Sequence, residues 1–136
     1  MTEANGADLR GYYQNIQQNG RLRAISIAKT WNEGVLRTLA LNLDRKTKSR
    51  LEDALPEELA FYLKRQFWLL HFRDANKPAR VFLDEVSRRS GNTDTSFARL
   101  PTKAIFRELK ELAGEDVSDD VAEALAPEIS ELWQEA

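Results

Sequence analysis

A chain of 136 residues with 42% apolar content is long enough for a real core, as one domain or two small fused units. It contains no cysteine, which excludes disulfides, thiolate catalysis and cysteine-ligated zinc or iron–sulfur centres. The net charge of −2 conceals a split: 18 basic and 10 acidic residues lie between Arg21 and Arg107, against one basic and ten acidic from Glu108 to Ala136.

Only 6 glycines and 4 prolines, abundant Leu, Ala, Glu and Arg, and no β-branched alternation predict an all-α fold. No apolar run approaches the length of a membrane span, and MTEANGADLR lacks the order of a signal peptide, so a cytoplasmic protein is expected. Residues 1–8 are small and polar and are expected to be disordered.

Leu9, Tyr12, Tyr13 and Ile16 recur at three and four and predict a helix that stops near Gly20. A longer helix is predicted from Ile25 to Leu43 on Ile27, Trp31, Val35, Leu36 and Leu39. Gly34 lies inside it at a cost of up to ~1 kcal/mol relative to alanine, and a close helix contact would explain it. The run from Asp44 to Arg50 reads as a polar connection, with Ser49 and Glu52 at capping-box spacing ahead of a short helix, Leu51 to Leu55. Pro56, Glu57 and Glu58 suit the start of the next helix. From there to Phe72 the chain is apolar on more than one face, and Phe61, Phe67, Trp68 and Phe72 mark it as the place where two halves meet.

After the polar linker at residues 73–80 the pattern restarts. Shifted by 70 residues without a gap, positions 10–66 align with 80–136, and their apolar positions coincide, although only eight of 57 are identical. Tyr12, Tyr13 and Ile16 meet Phe82, Leu83 and Val86; Leu51, Ala54 and Leu55 meet Val121, Ala124 and Leu125. The expectation is a tandem duplication of a unit of about four helices, residues 9–72 and 81–136, packed into one helical bundle. Pro101 replaces Trp31 in the second copy, so the helix there should kink or restart, with Thr102 to Ala113 as its regular part. Ser118 reads as an N-cap, Pro127 as the last helix start, and Trp133 as a residue that packs against the other half.

FLDEVSRRSG (Phe82 to Gly91), AIFREL (Ala104 to Leu109), LPEEL (Leu55 to Leu59) and its variant LAPEI (Leu125 to Ile129) give the chain a further identity. It resembles the bacterial domain-of-unknown-function family DUF 2267 over nearly its whole length. The resemblance implies a fold of two helical repeats and carries over no catalytic residue.

The single histidine, His71, leaves no triad, Cys-His pair or His-rich metal site possible within one chain. Adjacent carboxylates such as Asp119 and Asp120 point apart on a helix, and no glycine-rich phosphate loop is present, so no metal or cofactor site is predicted. The reading is a non-enzymatic protein-interaction or scaffold module, by self-association or through an unknown protein partner. Its candidate surface comprises Arg45, Lys46, Lys48 and Arg50, the acidic Asp119 and Asp120, and Trp68. The alternative is nucleic-acid binding through the basic segments around residues 21–50, against which stand the acidic end and a sequence pI near 5.5. A small-molecule site or an enzyme without a recognisable motif is the third reading.

Overall fold

The computed structural model describes residues 9–66, 75–91 and 94–136. Among them there are eight α-helices and one 3₁₀ turn, and no strand. In chain order these are α1 (Arg10–Asn19), α2 (Ile25–Leu41), α3 (Arg45–Ala54), α4 (Glu57–Lys64), α5 (Ala79–Arg89), the 3₁₀ turn (Thr95–Phe97), α6 (Arg99–Ala113), α7 (Glu115–Ala124) and α8 (Pro127–Glu135). The aromatic stretch from Phe67 to Phe72, with Trp68 and His71, lies outside the described residues.

The helices join into one core rather than two. Each packs as its apolar spacing demands: Tyr12, Tyr13 and Ile16 face inward from α1, and Val35, Leu36 and Leu39 from α2. Phe82 and Val86 of α5 and Ile105, Phe106 and Leu109 of α6 complete the same buried cluster. The contacts cross over: α1 packs on α6, and α5 packs on α2, while α2 meets α6 and α3 meets α7. Elements from residues 9–66 and 79–136 are thereby interleaved.

Gly34 sits at the crossing of α2 and α5. A Cβ there would run into Ser90 Oγ and stand 3.3 Å from the Val86 carbonyl oxygen. Gly20 is required by a second close approach, because its Cβ would lie 2.7 Å from the Ile16 carbonyl and 3.3 Å from Pro101 Cα. It is not, however, the left-handed residue that ends α1. Arg21 is, at φ 55°, with its N–H donating to the Gln18 carbonyl and that of Leu22 to Gln17. This double closure usually carries glycine at that position.

Two local expectations are corrected. The Asp44 to Arg50 run is not a connection: Asp44 caps α3 through the Thr47 N–H, and Arg45 to Arg50 form its first turns. Ser118 is no cap, since α7 starts at Glu115 behind Gly114 and Ser118 is buried within it. Among the described residues Trp133 has partners on α6 and α7: its ring meets Phe106 edge-on at 5.0 Å and its indole N–H donates to the Ser118 carbonyl at 3.0 Å, while most of the expected seam, residues 67–72, lies outside the described residues. Pro101 falls in the first turn of α6, where its missing N–H costs no helical hydrogen bond, and the preceding residues tighten into the 3₁₀ turn.

Candidate functional site

Sequence-selected residues come together only in part. Arg45, Lys46, Lys48 and Arg50 lie on α3, and Asp119 and Asp120 on α7. Because α3 packs on α7, the opposite charges meet inside one chain: Arg50 pairs with Asp120, and Lys48 pairs with Glu52 one turn along its own helix at 2.6 Å. Lys46, Arg50, Asp120 and Glu123 share a shallow cleft of about 300 Å³. Its mixed charge repels neither a polyanion nor a polycation strongly and attracts neither. Replacing Arg50 or Asp120 by alanine is expected to cost under ~1 kcal/mol, since the pair is roughly half exposed. A double-mutant cycle by chemical unfolding should give a coupling that shrinks as salt rises; a salt-independent coupling would contradict a surface pair.

Polar groups in the core serve the fold. Tyr12 donates its hydroxyl to Asn32 Oδ1 at 2.5 Å, and Asn32 Nδ2 donates to the Tyr13 hydroxyl at 3.3 Å. Burial pushes both phenols well above their ordinary range, so neither is poised for proton transfer near neutrality. Lys110 donates to the carbonyls of Trp133 and Ala136 and anchors the end of α8; desolvation lowers its pKa. Among the described residues no group of three His, Asp or Glu side chains could hold a metal ion.

The larger concavity was not selected from sequence. It is a groove of about 600 Å³ between the α1–α2 connection and the start of α6. Trp31, only 4% exposed, forms its floor, Leu22 and Ile27 lie half-buried beside it, and Phe97 and Leu100 stand 63% and 43% exposed. Among the described residues Arg21 and Arg23 are its only charged lining residues. The 3₁₀ turn explains the outward Phe97: Ala98 takes the buried position next to it, leaving the ring in solvent. Arg21 reaches the groove from its left-handed backbone, a conformation that costs a non-glycine residue roughly 1–2 kcal/mol. The sequence signals for this place were the mismatch of Trp31 with Pro101 and the basic segment beginning at Arg21 and Arg23, all of which line the groove.

Eight interleaved helices among the described residues, with a solvent-facing apolar groove, define a small all-α protein class. The chain belongs to the family described as an uncharacterized conserved protein, DUF2267, whose family model matches residues 10–135. No curated protein gives a significant match. Among the described residues no helix is long and apolar enough to cross a membrane.

Proposed function

We propose that the chain is a non-enzymatic protein-interaction module whose working surface is the groove at Trp31, Phe97 and Leu100. The observation that carries this reading is the exposure of Phe97 and Leu100 side by side on one concave apolar wall. Large apolar side chains gathered on a concave surface raise the free energy in water, and a complementary partner lowers it by covering them. The charged cleft between α3 and α7 is the weaker candidate, because Arg50 and Asp120 already satisfy each other and the charge split needs no second copy. Nucleic-acid binding finds less support for the same reason: the basic residues of α3 lie beside an acidic helix.

We further infer that the module arose by duplication of residues 9–72 as 81–136. The helix orders α1 to α4 and α5 to α8, the reciprocal packing of α1 on α6 and α5 on α2, and an ion pair between residues 70 apart support this history.

The test is differential capture with the tagged protein, wild type against the double variant Phe97→Glu and Leu100→Glu. Both replaced residues are exposed, so the variant is expected to melt like wild type. A protein retained by the wild type and lost by the variant is the expected result. Identical captured sets, from two equally stable proteins, would end the reading.

A further inference from the structure

The groove differs in its charge from four other clefts among the described residues. The α3–α7 cleft sets Lys46 and Arg50 against Asp120 and Glu123. The one beside α1 sets Arg10 and Lys29 against Glu58, and the one beside α8 sets Arg99 against Glu128, Glu131 and Glu135. Glu85 answers Arg88 and Arg89 in the fourth. In the groove alone among these five, the charge is of one sign, from Arg21 and Arg23. No ion pair joins either arginine to a carboxylate among the described residues.

A second, independent observation concerns how Arg21 is held. Where α5 ends, the same left-handed position is taken by Gly91 at φ 78°, and α6 ends on Gly114 at φ 88°. Among the described residues only the end of α1 places a long cation there, on the groove. A strained cation at the edge of an exposed apolar surface is the pattern expected where binding, not folding, has set the residue.

Resting on the interaction-module reading, we propose that the groove receives an acidic amphipathic helix of a protein partner. Its apolar side chains would cover Phe97 and Leu100 above the Trp31 floor, and its carboxylates would meet Arg21 and Arg23. The groove is walled by the α1–α2 connection, the 3₁₀ turn and side chains of α2 and α6, and offers no strand edge among the described residues, which suits a helix rather than an added strand. Its volume falls in the range of about 300–1,000 Å³ typical of ligand sites, and the exposed Phe97 and Leu100 on its wall leave apolar surface for a larger partner to cover. A guanidinium gives a carboxylate two parallel hydrogen bonds, so the rim selects for charge while the floor supplies apolar contact. The chain's own acidic helix α7 is not the occupant, because its outer residues Glu115, Asp116, Asp119 and Glu123 carry no apolar anchor.

The probe is a fluorescein-labelled synthetic peptide of about four helical turns, with leucine and phenylalanine on one face and glutamate on its flanks. A matched peptide carries glutamine in place of glutamate. Anisotropy titrations are expected to show the acidic peptide binding roughly tenfold tighter than the neutral one at low salt, with the gap closing as salt rises. Arg21→Gly should weaken the acidic peptide by a similar factor while raising the melting midpoint by about 3 °C, because glycine relieves the left-handed backbone. Arg23→Gln, which does not touch that backbone, should weaken binding without the rise. Equal binding of the two peptides, or Arg21→Gly binding like wild type, would overturn the acidic partner yet leave the module reading standing if Phe97→Glu with Leu100→Glu still abolishes binding. Binding undiminished in that double variant, or no binding of either peptide at millimolar concentration, would remove the groove itself. A wild-type dimer in sedimentation that the double variant dissociates would assign the groove to a second copy and overturn the proposal.

Discussion

Gly34→Val is expected to lower stability by about 3 kcal/mol, near the upper end of what overpacking a close helix contact costs. The backbone of α2 at Gly34 faces the carbonyl of Val86 and the amide of Ser90 at the end of α5, at distances of 3.3 and 3.4 Å from where a Cβ would stand. Ser90 Oγ blocks the same space, and neither backbone atom can rotate away. The branched valine adds two further carbons to this contact, so α5 must shift along α2, and with it Phe82 and Val86 in the core. Against this stands a helix-propensity gain on leaving glycine of at most ~1 kcal/mol, which the clash exceeds. Urea unfolding should show a lower midpoint with an unchanged slope. Gly34→Ala should give a smaller loss, reduced again in a Ser90→Gly background. A valine variant as stable as wild type would mean that the α2–α5 crossing is not tight.

Gly34 also shows what the sequence makes legible. A glycine inside a strong 3.6-residue apolar pattern costs the helix free energy, so a packing reason is implied, and the crossing supplies it. Pro101 was readable on the same footing, because proline can stand only in a first turn without breaking the helix. The family was readable from short apolar motifs spread over most of the chain, and the match over residues 10–135 bears it out.

What failed did so for physical reasons. Helix α3 buries only Leu51, so it has almost no apolar period to detect; the Asp44 cap and the Lys48–Glu52 pair support it locally. Arg21 escaped because Gly20, the usual terminator, stands beside it, while the tight approach to Pro101 that reserves Gly20 arises only from tertiary packing. The groove escaped because Phe97 and Leu100 are the residue types of a core, and their exposure depends on how the 3₁₀ turn orients them. Charge counted along the chain suggested two docking surfaces; in three dimensions they adjoin within one chain, where Arg50 meets Asp120.

Trp133→Ala should cost about 3–5 kcal/mol, a large share of the roughly 5–15 kcal/mol that holds a domain folded, and the loss should be felt far from α8. The indole is 1% exposed against Phe106, and its N–H satisfies the Ser118 carbonyl, so truncation leaves both a cavity and a weakened polar contact. If residues 79–136 were an independent unit, that unit alone would melt early. The interleaving of α1 on α6 and α5 on α2 argues otherwise, because α1 and α2 lose their partners when α5 and α6 loosen. The variant provides its own reporter: with Trp133 gone, the remaining tryptophans are Trp31 and Trp68, both from the first half of the chain. Their fluorescence and the far-ultraviolet circular dichroism should fall together in one transition at a midpoint lowered by roughly 10 °C or more. Fluorescence that kept the wild-type midpoint while the helical signal fell in two steps would show instead that the halves unfold separately. The crossed contacts of the helices would then contribute little to cooperativity.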